Sequence, residues 1–156
     1  MVKTIVADAS VLLKAYLHDE EETAAVDAMP QDLSQDRLSI AVPYLSRYEI
    51  SNALWAAARQ GRISPEDALR AQQEFLQINL QYFASEAVET RALELALRHN
   101  RSVYDCSYVA LAEQMGVWFF TGDRRLYNAL GPHLPFVRWI GDYDWDALPE
   151  ALQYTG

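Results

Sequence analysis

Short apolar runs alternate along this chain with stretches whose hydrophobic positions recur every three to four residues. "TIVAD" (Thr4 to Asp8) predicts a buried strand, and "ASVLLKAYLHD" after it sets Val11, Leu12, Ala15 and Tyr16 at helical spacing. "DEEETAAVDAMP" predicts a second helix, with acids near its start where the helix dipole favours them and Pro30 as its end. "RLSIAVP" is the next strand, and "YLSRYEISNALWAAARQG" is a strong helix stopped by Gly61. "SPEDALRAQQEFLQI" opens with Ser64 as N-cap, Pro65 in the first helical position and Asp67 three residues after the cap. "LQYFA" predicts a short strand, and "SEAVETRALELALRHN" a helix carrying Ala87, Leu93, Ala96 and Leu97. Last come a helix "VYDCSYVALAEQMG" closed by Gly116, a continuous apolar strand "VWFFTG", a short helix "DRRLYNALG" and a final strand "FVRWIG".

Strands alternating with helices predict an α/β fold, a three-layer α/β/α sandwich around a mainly parallel sheet. With 156 residues, 51% of them hydrophobic, and no repeat or low-complexity linker, residues 1–156 read as a single domain with a real core. In open α/β sheets ligands bind outside the carboxyl ends of the strands, which directs attention to the residues that follow each strand.

Four acids stand out on that criterion. Asp8 ends the first strand and Asp123 lies just beyond "VWFFT". Asp105 opens a helix whose next inward positions, Val109 and Ala112, are apolar. Glu49 lies on a helix face shared with Ala53 and Ala56, where a carboxylate is partly buried and needs a partner. Each acid also has a plainer use: Asp8 with Ser10, and Asp123, fit helix N-caps, and Asp105 suits a helix start through the dipole alone. Taken together they come from four separate segments, with no lysine or histidine within four residues of any of them. Such acids repel and hold their protons unless a divalent cation neutralises them, and hard oxygen ligands suit Mg²⁺ or Mn²⁺. Arg124 and Arg125 follow Asp123, as phosphate contacts or as solvated residues.

Charge narrows the partners. A net charge of −9 argues against tight nonspecific binding of nucleic acid, though not against a nuclease whose bound cations reverse the local field. A basic protein partner also fits. The run "DEEE" reads as a solvated face and the segment "GDYDWDALPEALQYTG" as a solvated tail partly packed on the domain; the alternative is that acidic and aromatic surface at one of them docks such a partner. Cys106, the single cysteine, excludes an internal disulfide and reads as a small buried side chain. His18, His99 and His133 form no zinc-like pair and read as surface residues. "DASVLL" after the first strand lacks the glycines of a phosphate-binding loop. No apolar run of ~18 residues is present to span a bilayer, so the expectation is a soluble, cytoplasmic protein.

The residues "DAS", "RYEISNAL", "VYDCSYVALAEQMG" and "FFTGDRRL", in this order, resemble the PIN-domain ribonucleases, and among them the VapC-type toxins of bacterial toxin–antitoxin pairs. The resemblance covers nearly the whole chain. It implies a metal-dependent endoribonuclease in which Asp8, Glu49, Asp105 and Asp123 form one site. It further implies that Asp8 and Asp105 are the most direct ligands of Mg²⁺ or Mn²⁺, and that Ser10 and Thr121 support the acids. RNA as substrate, a homodimer and a small inhibitory antitoxin are implied as well. A PIN-like binding module without activity and a PIN-like nuclease with a housekeeping RNA-processing role are the alternatives. A haloacid-dehalogenase-like phosphatase would need a second acid where Ser10 stands. A phosphoacceptor receiver would need a late lysine, and no lysine follows Lys14.

Overall fold

The computed structural model describes residues 1–17 and 23–150 of the chain. Five parallel strands form one sheet: β1 (Lys3–Ala7), β2 (Leu38–Pro43), β3 (Gln81–Phe83), β4 (Phe119–Thr121) and β5 (Val137–Trp139), in the spatial order β3-β2-β1-β4-β5. Val6 on β1 pairs with Ala41 of β2 on one side and with Phe119 of β4 on the other. Ile5, Val6 and Ala7 are fully buried, so both faces of β1 are covered, as expected of a parallel sheet between helical layers.

Among the described residues seven α-helices fill the connections: α1 (Ala9–Leu17), α2 (Thr23–Ser34), α3 (Ser46–Arg59), α4 (Pro65–Leu76), α5 (Glu86–His99), α6 (Val103–Met115) and α7 (Arg124–Leu130). Their starts follow the side-chain signals in the sequence. The hydroxyls of Ser64, Ser85 and Ser102 accept hydrogen bonds from the amides of Asp67, Val88 and Asp105. α6 is buried from Cys106 through Ala112 and packs on β1 and β2, which makes it the central helix of its layer.

The strand order has one consequence for function. From β1 the chain steps outward to β2 and β3, then returns to the other side of β1 to lay down β4 and β5. The crossovers therefore diverge between β1 and β4, and a crevice opens at the carboxyl ends of that pair. Asp8 follows β1 immediately, and Gly122 and Asp123 follow β4.

One expectation is corrected. Pro30 does not end α2; the helix runs on to Ser34. Proline gives up the hydrogen bond to the carbonyl four residues back, but continuing the helix buries Met29, places Leu33 against the core and sets Asp32 within 3.3 Å of Arg37. The chain turns only at Asp36, whose φ of 55° lies in the left-handed region. Of the two readings of the C-terminal segment, "GDYDWDAL" follows the one in which it packs on the domain. Tyr143 and Leu148 are buried, and the Trp145 indole donates to the Arg37 carbonyl at 3.0 Å. Lys3 and Arg37 both lie over the Trp145 ring. This part of the C-terminal segment closes the bottom of the sheet and is not a free apolar docking surface. The "DEEE" run and the last residues, 151–156, lie outside the described residues.

The Tyr143 hydroxyl donates to Asp32 at 2.8 Å in a buried setting. A hydrogen bond to a charged acceptor contributes about 2 kcal/mol. Tyr143→Phe should therefore lower the unfolding free energy by about that amount in a urea titration, with the slope unchanged. An unaltered midpoint would show that this segment does not hold the fold together. Among the described residues, no helix is long and apolar enough to cross a membrane.

Candidate active site

All four acids occupy the first turn of a helix or the residue that caps it. Asp8 caps α1: its Oδ1 accepts from the Val11 amide at 3.2 Å. Asp123 caps α7, its Oδ1 accepting from the amides of Arg125 and Leu126 at 2.9 and 3.2 Å. Glu49 lies in the first turn of α3, and Asp105 in the first turn of α6 behind the Ser102 cap. Capping and convergence are thus the same arrangement, since the helix ends that receive these acids surround one crevice. Their positive dipole ends also reduce the cost of gathering negative charge there.

Asp8 forms the floor. It is 7% exposed and each carboxylate oxygen is held by a hydroxyl, Oδ1 by Ser10 and Oδ2 by Thr121. Those hydroxyls are held in turn. Ser10 Oγ accepts from the Gly122 amide at 2.9 Å, and Thr121 Oγ1 accepts from the Asp123 amide at 3.0 Å. Ser10 and Thr121 therefore tie the end of β1 to the end of β4 through the Asp8 carboxylate. Burial is the chief reason that the Asp8 pKa is raised to about 6 from 3.8; the hydrogen bonds oppose this, and the charge of Asp105 adds to it.

Glu49 is half-buried, and its Oε1 is buried with no hydrogen-bond partner. Its pKa is pushed up to about 7, first by burial and then by the charges of Asp105 and Asp8. Asp105 is also raised, by burial first and in part by Asp123, while the Ser102 hydroxyl and Arg101 oppose the shift. The electrostatic couplings bring Asp8, Glu49 and Asp105 together and join Asp123 to them through Asp105. A cavity of about 620 Å³ opens beside Glu49 and Asp105, which line it together with Ser10, Tyr48, Asn52 and Tyr104.

The donor set suits a hard divalent cation, and the orphaned Glu49 oxygen is the observation that supports the fit: a buried carboxylate oxygen without a donor is costly unless a cation or bound water meets it. Among the described residues, no three acidic, histidine or cysteine side chains are gathered closely enough to enclose an ion by themselves.

Several neighbours were not singled out in the sequence. Arg101, four residues before Asp105, is the nearby cation that lowers the Asp105 pKa, and its Nε is buried without a partner. The spacing was visible but the loop geometry that brings it inward was not. Tyr108 lies beneath the crevice, fully buried, its hydroxyl without a well-formed hydrogen bond. Burial and then the charges of Glu49, Asp8 and Asp105 raise its phenol far above the usual range. Lys14 lies close to Gly122: a Cβ there would come within 3.1 Å of the Lys14 Cε. Cys106 is buried as expected, its thiol pushed up to about 11 by burial and the adjacent Asp105. Arg47 and Arg124 lie over the rings of Tyr82 and Trp139 at 4.5 and 3.7 Å.

Residues 5–130 match the PIN domain family. Ribonuclease VapC3 of Pyrobaculum aerophilum is 34% identical over 124 residues, which cover 78% of this chain and 91% of that one. Ribonuclease VapC9 of Mycobacterium tuberculosis is 34% identical over 122 residues, covering 78% and 87%. The crystal structure of PAE2754 from Pyrobaculum aerophilum superposes with a TM-score of 0.58 at 28% identity, covering 83% of this chain and 87% of that one. VapBC-1 from nontypeable Haemophilus influenzae shares the fold at 14% identity, with a TM-score of 0.56 over 92% and 98% of the two chains. A crevice at the β1/β4 switch point, acids from four segments around it and a match that spans most of the sequence agree: the chain belongs to the PIN-domain family.

Proposed function

We propose that this protein is a divalent-metal-dependent endoribonuclease and the toxin of a type II toxin–antitoxin pair, with Asp8, Glu49, Asp105 and Asp123 as its catalytic acids. The observation that carries the reading is that Glu49 and Asp105 line one cavity beside the buried Asp8, with the Glu49 oxygen left without a donor. Relatives of the chain are named ribonucleases, and one neighbour of the same fold is a toxin–antitoxin complex from Klebsiella pneumoniae, which supports the RNA substrate and the antitoxin partner. Asp8 and Asp105 would hold Mg²⁺ or Mn²⁺, with Glu49 and Asp123 completing the surroundings directly or through water. The ion, when bound, supplies a water of lowered pKa and offsets the charge of the scissile phosphate.

The chain's own residues prepare that chemistry. Ser10 and Thr121 hold the Asp8 carboxylate in one orientation, so that it does not swing away when the site is empty of charge. Asp123 stays fixed by its two amide donors on α7. Glu49, whose buried Oε1 has no donor of its own, is the candidate to accept a proton from the attacking water. A homodimer, a cytoplasmic location and a small antitoxin that blocks the crevice belong to the same reading.

Purified protein incubated with a mixed RNA pool should cut it in Mg²⁺ or Mn²⁺ and leave it intact in EDTA. RNA that stays whole in both, from a folded chain, would leave an inactive PIN-like binding module as the better description.

A further inference from the structure

His99 and His133 are distant in sequence and meet in space. The first is the last residue of α5, and the second lies in the turn that follows α7. Their ring centres are 5.5 Å apart, with the planes inclined by 40°. No spacing along the chain announces the pair, because it forms between two elements and not at i, i+4 on one helix.

Both backbones are held in place. α5 closes at Asn100, whose φ of 53° lies in the left-handed region. The amides of His133 and Leu134 both donate to the Leu130 carbonyl, at 3.0 and 2.9 Å. Pro132 and Pro135 stand on either side of them, each with its φ fixed by its ring. Side chains carried on fixed backbones lose little freedom when one ligand joins them.

The separation suits a shared ion. An imidazole nitrogen binds Zn²⁺ at about 2.0–2.1 Å, so each ring centre lies about 3.2 Å from the ion, and two at a tetrahedral angle are about 5 Å apart. The charge around the pair allows it. Burial first, and then His133, hold the His99 imidazole below its ordinary pKa, which keeps it neutral and able to ligate at neutral pH. Arg98 and Arg91 add to that effect and would repel a cation. Arg91, however, is already met by Glu113 at 2.7 Å and by Glu94 at 3.0 Å, and two carboxylates outweigh one guanidinium.

We propose that His99 and His133 form a two-imidazole site for a borderline divalent cation of the Zn²⁺, Ni²⁺ and Cu²⁺ class, with water in its remaining positions. Imidazole selects such ions, whereas the oxygens of the four acids suit harder ones. The site is separate from the acids and stands whether or not the chain cuts RNA. An ion there fastens the end of α5 to the turn after α7, which the backbone connects only through α6 and β4.

Ni²⁺ alone is the probe. The full chain, free of any histidine tag and in excess Mg²⁺ to occupy the acids, is titrated with Ni²⁺ by calorimetry, while the assigned imidazole proton signals are followed by NMR. The signals of His99 and His133 should broaden together, in step with the binding of one Ni²⁺. His99→Gln and His133→Gln should each raise the Ni²⁺ concentration at half-occupancy at least tenfold. Asp105→Asn should leave it within twofold. Binding that survives both histidine substitutions and is lost in Asp105→Asn would put the ion at the acids and overturn the site. Signals of His99 and His133 that broaden at different Ni²⁺ concentrations would reduce the pair to a ring contact and overturn it as well. The broadening is read on the unsubstituted chain, so it decides the matter even where a variant melts lower than the parent.

Discussion

Asp105→Asn should abolish RNA cleavage while leaving the protein folded. Loss of a group that only supports a metal ligand costs roughly 10- to 100-fold in metal affinity or activity. Removing a direct ligand should exceed the top of that range, so cleavage should fall by more than about 100-fold. The substitution is a clean one because the Asp105 carboxylate is half-exposed and does not bridge other elements; the α6 cap is made by its backbone amide on Ser102, which asparagine keeps. Asp8→Asn should be equally inactive but less simple to interpret. The Asp8 carboxylate accepts from Ser10, Thr121 and the Val11 amide, and an asparagine NH₂ group facing either hydroxyl forces that hydroxyl to turn. The measurement is single-turnover cleavage of an RNA that the parent chain cuts, alongside thermal melting. Cleavage by Asp105→Asn at the parental rate would remove Asp105 from the site and with it the proposed metal centre.

The alternation of strands and helices was legible because each element follows one local rule. β1, β2 and β4 are short apolar runs, and the helices begin at Ser64, Ser85 and Ser102 with the capping chemistry that their sequences announce. The acids could be placed at the carboxyl edge because that edge is where a residue following a parallel strand must emerge. Distant contacts were less legible. Pro30 reads as a stop because its local effect is to break a helix, yet packing of Met29, Leu33 and Asp32 outweighs one lost backbone bond. The same Asp32 receives the Tyr143 hydroxyl from 111 residues away, so no local pattern marks "GDYDW" as part of the fold. Arg101 and Tyr108 joined the site for the opposite reason. They sit on either side of Asp105 in sequence, but only the way α6 runs beneath the crevice shows that both face the acids.

Adding Mn²⁺ or Mg²⁺ should raise the melting temperature, and the gain should depend on pH. Without metal, Asp8 and Glu49 titrate near 6 and 7, above their ordinary values of 3.8 and 4.5. The folded chain then holds protons that the unfolded chain has already released. Its stability is greatest below about pH 4 as far as these two groups are concerned, and falls as pH rises through about 6 and 7. A divalent ion that binds only the folded form replaces those protons and opposes the fall. At a hundredfold excess over its dissociation constant it contributes about 2.7 kcal/mol. For a chain of this size each kcal/mol shifts the melting temperature by roughly 2–4 °C, so a gain of roughly 5–10 °C is expected at pH 8. At pH 5 Asp8 and Glu49 are largely protonated, the ion must displace those protons, and the gain should be small. Glu49→Gln separates this from a general salt effect. It removes the charge whose Oε1 has no donor, so the metal-free chain should melt higher than the parent at pH 8 and respond less to Mn²⁺. Melting curves that do not move through millimolar Mn²⁺ at pH 8, or that move equally in the parent and in Glu49→Gln, would mean that the acids do not bind an ion together.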